Sequence, residues 1–574
     1  MPSIWLGESW DPWGKKKGGA PVTYDGERHL TMFGPNGSGK GATIEIPNLL
    51  RLGGDVSILS IDPKGQNAAV TAAYRRKVSD VLVVNPFGLH RGMYPDLESV
   101  GFNPLASLDP DSDRFYEKAK AIADALIRVE GDSQPYFPQS AQGLMAGLVM
   151  WEVKLAAMEG RQPWLANARD MLTGIRIGAP ANAAAPPAGV GGLQATAAAM
   201  VAFGGSKIAG LGAMYTRDGK EIDSIVSTAK SQTDWLESDP LRRDLARDGI
   251  DFARLKAKPT TVYVILPADE LETFSVWLRL VVITALGELY RHSGAGLRTL
   301  FMLSEFAALG KLQPITTALG QARGYGIQLF PVLQDINQLR AIYGRDFPHT
   351  FLGMSGATIA FTPNDFETAE WMSRRSTEEY FAGMSASDDP NAPEGTRENF
   401  SPQKRRVFPA DSLLEMPDFH ALTWFAGKGQ PQPVRTRPYW ELPFCKGRYR
   451  EDPFHRPKKS ARQSVARSDA ASTGRRNDAA AGNVHPGPWP ESAGQRPSPQ
   501  RKENIFDAAE RRLREGLKFI LLKALKWIPI LAIVGITLFA SRIYGSKDPK
   551  DIAIKNEINA VTARIISDIR RYTN

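Results

Sequence analysis

Through the first 440 residues, short β-rich apolar runs alternate with longer stretches of helical periodicity. The strand-like runs are HLTMF (29–33), VSILSI (56–61), VLVVN (81–85), TVYVIL (261–266), TLFML (299–303), IQLFPVL (327–333), ATIAF (357–361) and ALTWF (421–425). Nearly all-apolar, β-branched strands separated by helices predict an α/β fold with a parallel sheet covered on both faces. The long interval between the third and fourth runs reads differently. DRFYEKAKAIADALIRV and FPQSAQGLMAGLVMWEVKLAAM have helical periodicity, while the low-complexity GAPANAAAPPAGVGGLQATAAAM (178–200) reads as a loop. The expected organisation is an α/β domain in two parts, 1–110 and 246–444, with an all-α domain inserted at 111–245.

Beyond residue 444 the pattern changes. Residues 445–502 hold 13 Lys/Arg against 5 Asp/Glu, which places nearly all of the chain's +9 charge in one segment. Poor in large apolar residues and rich in Pro, Ser, Gly and Ala, it cannot bury enough surface to offset its ordering entropy. It reads as a disordered basic linker over 445–505, either a spacer or a contact for DNA or anionic lipid. WIPILAIVGITLFAS (527–541) is uncharged, and Lys523 and Lys526 can snorkel, so a transmembrane helix is expected over 520–543. Six Lys/Arg lie in the 20 residues before Trp527 and four in the 20 from Arg542, a bias that puts the large N-terminal part inside. Ile554, Ile558, Val561, Ile565 and Ile569 then share one face of an amphipathic helix within 546–574, on the outer side. The start of the chain has no apolar leader, and the single cysteine, Cys445, excludes internal disulfides and multi-cysteine zinc sites.

Chemistry enters at FGPNGSGKGAT (33–43), between a strand and a helix expected to begin near Lys40. Gly34, Gly39 and Lys40 satisfy the phosphate-loop pattern. The backbone through Gly34, Pro35, Asn36, Gly37, Ser38, Gly39, Lys40, Gly41 and Ala42 is the expected phosphate cradle, with Lys40 on the terminal phosphates. The hydroxyl that usually holds Mg²⁺ is replaced by Gly41, so Thr43 or a water is needed to complete the metal shell. LFMLSEFAALG resembles a Walker B strand, in which a first acid holds the metal shell and a second polarises the attacking water. Here the first is Ser304 and the second Glu305. Arg323 and Gln334 follow, an arginine suited to neutralising phosphoryl charge and a strand-end glutamine suited to sensing the γ-phosphate.

The blocks FGPNGSGKGATIEIPNLL, LSIDPKGQN, FNPLASL, TVYVILP, LSEFAALGKLQPITTALGQARGYGIQLFPVLQDINQLRAIYG and TAEWMS occur in an order that resembles the type IV coupling proteins, the TraG/TraD-like ATPases of conjugation. The resemblance runs from about Ile4 to Trp440. It implies a RecA-like P-loop NTPase domain with an all-α domain in the inserted position, and homo-hexamers with ATP sites between subunits, where Arg323 would act in trans. It also implies ATP and Mg²⁺ as cofactors, the inner membrane, and partners among relaxase–DNA complexes, effector proteins and type IV secretion channel components. Three departures stand out: Ser304 for the usual Asp, Gln66 for the usual Glu after Asp62-Pro-Lys-Gly, and an anchor placed C-terminally. Asp62 is then a candidate for the missing charge, and a Ser304→Asp change is expected to raise turnover. The leading expectation is an ATPase that delivers transfer substrates. The alternatives are a nucleotide-binding docking platform with little hydrolysis, and a general chromosomal DNA translocase.

Overall fold

The computed structural model describes residues 3–14, 19–129, 135–176, 178–179, 191–292, 296–388 and 396–455. The transmembrane and outer amphipathic helices, and most of the linker, lie outside the described residues. Among the described residues no helix is long and apolar enough to cross a membrane.

The frame is an eleven-stranded sheet. Its strands are β1 (Ile4–Ser9), β2 (Pro21–Tyr24), β3 (His29–Phe33), β4 (Val56–Ile61), β5 (Asp80–Val84), β6 (Thr260–Val264), β7 (Arg298–Leu303), β8 (Ile327–Leu333), β9 (Ser355–Phe361), β12 (His420–Phe425) and β13 (Gln432–Arg435), while β10 (Glu378–Asp388) and β11 (Thr396–Arg406) form a separate hairpin. The order is β2-β1-β13-β12-β9-β3-β8-β7-β4-β6-β5. From β9 to β5 all neighbours are parallel. The β12 strand, expected in a parallel sheet, instead runs antiparallel to β9 and opens an antiparallel edge with β13, β1 and β2. The sheet is therefore mixed, and the short connection between β12 and β13, too short for a parallel crossover, accounts for the antiparallel pairing of those two strands. The central strands are buried along their whole length, as their unbroken apolar runs require.

The phosphate loop leads into a π-helical turn, Gly41–Glu45, and then α1 (Ile46–Arg51). Its end is pinned by the fully buried Arg75 of α2 (Gln66–Arg75), which donates to the carbonyls of Leu49 and Leu52 and to Thr261 Oγ1. That guanidinium satisfies carbonyls a helix end leaves without partners.

Between β5 and β6 the described residues carry helices and no strand: α3 (Phe115–Leu126), α4 (Tyr136–Glu159), α5 (Leu165–Thr173), α6 (Gly192–Phe203), α7 (Ser206–Ala213), α8 (Lys220–Gln232), α9 (Asp239–Leu245) and α10 (Arg254–Ala257). The α4 helix is largely apolar and buried along its middle, with the one buried acid there, Glu152, paired to Arg161, and it stops at Gly160, whose φ of 64° suits a left-handed cap. The α6 helix corrects the last part of the loop expected at 178–200, from Gly192 on: its Ala-rich residues are the strongest helix formers, and composition alone hides that; residues 180–190 of that stretch lie outside the described residues. Leu144, Leu148 and Trp151 belong to the same continuous core as Leu59, Val264 and Leu303 of the sheet and Trp277 of α11 (Ser275–Arg291).

A second correction concerns residues 445–455, expected to begin the linker. Cys445 is fully buried, in a small core with Trp5, Ile46, Leu50, Val70, Tyr439 and Leu442. Asp452 is 2% exposed, and Arg450 donates to the Ala69 carbonyl at 2.9 Å. Averaged over the segment, basic composition conceals these few anchors.

Candidate active site

Strand order decides which residues meet. β3, β8, β7 and β4 are successive parallel neighbours, with Phe33 opposite Leu333, Leu303 opposite Pro331 and Ile61 opposite Leu303. The loop 34–42, Gln334, Ser304–Glu305 and Asp62 follow the C-terminal ends of these strands and emerge along one edge. That edge is the crevice where open α/β sheets hold ligands.

The loop is shaped by glycine where backbone demands it. Gly37 and Gly39 have φ of 85° and 86°, and a Cβ on Gly39 would lie 2.7 Å from the ring of Phe419. Lys40 Nζ donates to the carbonyls of Gly34 and, at 3.1 Å, Pro35. Burial lowers the Lys40 pKa, while the carboxylates of Glu305 and Glu45 favour its ammonium form. The Ser38 hydroxyl is buried with no hydrogen-bond partner. Gly41 is not imposed by crowding, because a Cβ there would meet nothing nearer than Gln66 Oε1 at 3.9 Å. Thr43 is fully buried, its Oγ1 likewise unpartnered.

The strand ends hold a carboxylate that motif reading missed. Glu45, 4% exposed, accepts at Oε2 from Ser304 Oγ at 2.5 Å and from Asn67 Nδ2 at 2.8 Å. Burial pushes its carboxyl up from the usual range. Ser304 thus already faces a carboxylate, and an Asp introduced there would meet a like charge at hydrogen-bond distance, which argues against the expected gain from Ser304→Asp. Asp62 is occupied otherwise, since its Oδ2 accepts from the Ala68 N–H at 2.8 Å and caps α2, and burial pushes its pKa up to about 7.

Glu305 sits at φ 51°, ψ 45°, a left-handed conformation uncommon for a residue with a side chain. Its Oε2 lies 3.4 Å from Gln334 Nε2, so the water-orienting and sensing candidates meet. Arg323 is elsewhere. It precedes β8, whose first residue pairs with Thr299 at the start of β7. It is therefore at the opposite end of the strands, roughly 20 Å from its own loop at the usual strand rise. There it is exposed, donating to Glu27 Oε2 at 3.2 Å. Gln66 is also explained: Nε2 donates to Asp452 Oδ2 at 2.8 Å, where a glutamate would oppose a carboxylate.

Loop N–H groups, a half-buried ammonium, the unpartnered Ser38 hydroxyl and the carboxylates Glu45 and Glu305 fit a polyphosphate with Mg²⁺. Among the described residues no three His, Cys, Asp or Glu form a metal cage. Mg²⁺ keeps several waters and substrate oxygens in its shell. One signal could have revealed Glu45: a lone acid between Ile44 and Ile46 in an otherwise apolar segment.

The sequence profile described as "Type IV secretory system Conjugative DNA transfer" matches residues 4–461. The chain is similar to the conjugal transfer protein TraG of Escherichia coli, 26% identical over 379 residues, covering 62% of this chain and 55% of that protein. It is 25% identical over 378 residues to the protein VirD4 of Agrobacterium fabrum, covering 64% and 52%. The chain spans about half the length of the curated relatives it matches. Among solved structures it is similar to the bacterial conjugative coupling protein TrwBdeltaN70, at TM-score 0.53 and 16% identity, covering 73% of this chain and 87% of that one. The plasmid coupling protein TrwB in complex with ADP and Mg²⁺ aligns with a TM-score of 0.51 and 16% identity, covering 76% and 94%. At that identity the likeness carries the fold alone, a RecA-like P-loop NTPase with a mixed sheet. Because the profile match spans most of the chain and includes every strand end described above, the chain belongs to the type IV secretory system conjugative DNA transfer family.

Proposed function

We propose that this protein is an ATP-driven coupling protein, which recruits relaxase–DNA complexes or effector proteins and passes them to a type IV secretion channel at the inner membrane. The observation that supports this most is the convergence of Lys40, Glu45, Glu305 and Gln334 at neighbouring strand ends, in a chain of this family. Lys40 and the N–H groups of residues 34–42 bind the phosphates. Glu305 orients the attacking water and takes its proton, and Gln334, in contact with Glu305, reports the γ-phosphate. Glu45, Glu305 and the Thr43 side of the loop would hold Mg²⁺, which when bound would supply charge neutralisation at the phosphate oxygens. Arg323, at the opposite end of the strands from its own loop, would serve a neighbour's site in a hexameric ring.

In this reading 111–245 is the all-α domain, the linker begins beyond residue 455, and 520–543 anchors the protein with its ATPase part in the cytoplasm. A docking platform with little hydrolysis is favoured by one observation, the hydroxyl of Ser304 in place of the strand-end acid. Transfer of a mobilisable plasmid separates success from failure. Cells whose sole copy carries Lys40→Ala should transfer no more than cells lacking the gene, and near-normal transfer would exclude any nucleotide-dependent role.

A further inference from the structure

Glu45 is hard to explain as scaffold alone. Carboxylates are almost never fully buried without a charged partner. The described hydrogen bonds to the Glu45 side chain come from two neutral donors, Ser304 and Asn67, and both converge on Oε2. No described residue donates to Oε1. Lys40, whose charge acts on it, makes its own hydrogen bonds to loop carbonyls.

The pair Glu45–Ser304 also has a chemical logic. The usual arrangement puts a hydroxyl on the helix after the loop and a carboxylate at the strand end. Here the strand end carries the hydroxyl and the helix carries the carboxylate, one turn beyond Gly41. Donor and acceptor have exchanged elements, and one negative charge stays in the crevice.

We propose that Glu45 is the carboxylate of the Mg²⁺ shell in this chain: Ser304 and Asn67 fix Oε2, and Oε1 faces the ion or one of its waters. This rests on the reading of a Mg²⁺–nucleotide site given above. Glu45 is then a metal-shell residue, and Ser304 a positioning residue that acts through it.

The test is titration of a fluorescent ADP analogue into the full chain, with Mg²⁺ and with EDTA, alongside the electron paramagnetic resonance signal of Mn²⁺ in the presence of ADP. Wild type should bind the analogue more tightly with Mg²⁺ and hold Mn²⁺. Glu45→Gln keeps the shape and should bind as wild type does in EDTA, yet lose about tenfold or more in Mn²⁺ affinity, the scale on which metal sites respond to lost partners. The exchange variant Glu45→Gln/Ser304→Asp should regain most of that loss, and Ser304→Asp alone should gain nothing. Ser304→Ala, which removes only the positioning bond and tests the idea if Glu45→Gln does not fold, should weaken Mn²⁺ about tenfold. If Glu45→Gln or Ser304→Ala holds Mn²⁺ as wild type does, Glu45 is a pin between helix and strand and the proposal fails. If wild type binds no nucleotide with or without Mg²⁺, the underlying reading of the site fails with it.

Discussion

Replacing Gln66 by glutamate, the residue the family usually has after Asp-Pro-Lys-Gly, should damage this protein. The Gln66 amide donates to Asp452 Oδ2 at 2.8 Å, and the same oxygen accepts from the Tyr439 hydroxyl at 2.9 Å. Asp452 is buried and also accepts from the backbone N–H of Phe454, so the bond ties the C-terminal segment to the helix beside the loop. A hydrogen bond to a charged group contributes about 1.5–3 kcal/mol. Two carboxylates about 3 Å apart would repel by roughly 5 kcal/mol at an effective dielectric constant of 20. The new carboxyl escapes part of this by holding a proton, which lets it donate to Asp452 again. Its folded pKa is then raised above its unfolded value, so the folded state binds a proton the unfolded state releases. The loss of stability is therefore full above the folded pKa and fades as pH falls toward the ordinary value of about 4.3. We expect Gln66→Glu to lose about 3 kcal/mol at pH 8 and about 1 kcal/mol at pH 5, measured by urea unfolding. Gln66→Glu/Asp452→Asn should recover most of the loss, because the amide and carboxylate merely change places. A variant that unfolds at the wild-type urea concentration at pH 8, or loses equally at both pH values, would refute the reasoning.

Cys445 is buried, and burial pushes its thiol up to about 12, so a disulfide reagent at pH 8 should react only as fast as the protein unfolds. Fast labelling of the native protein would mean that 439–455 is not packed on the core. Glu305→Gln should lower ATP turnover by about 10²–10⁴-fold while leaving nucleotide affinity intact, and retention of turnover would remove Glu305 from the water-orienting role. Arg323→Ala should abolish any rise of specific activity with protein concentration and cost about 10³-fold in turnover, while an effect on nucleotide binding by dilute protein would argue against action in trans.

The parallel part of the sheet was legible because its strands are buried on both faces and so read as unbroken apolar runs, as in VSILSI and IQLFPVL. The antiparallel edge was less so. β1 and β2 carry too few apolar residues to stand out, and nothing in ALTWF itself sets its direction. The hairpin β10–β11 reads as polar chain. At the site, Lys40, Glu305 and Gln334 are legible as candidates because their motif spacing follows from strand–loop–helix geometry. Glu45 and Asn67 are not legible, because their contacts depend on β3, β7 and β4 lying in the order β3-β8-β7-β4, a fact of topology rather than spacing. Gln66 looked like a lost acid until Asp452, 386 residues on, explained it.

The claim that nucleotide turnover at this crevice powers transfer is tested most directly by ATP hydrolysis of the full chain, with and without single-stranded DNA, beside Lys40→Ala. The account expects wild-type turnover that requires Mg²⁺ and rises with DNA, and none from Lys40→Ala. Equal rates from the two proteins, or no hydrolysis by wild type at any Mg²⁺ or DNA concentration, would contradict it.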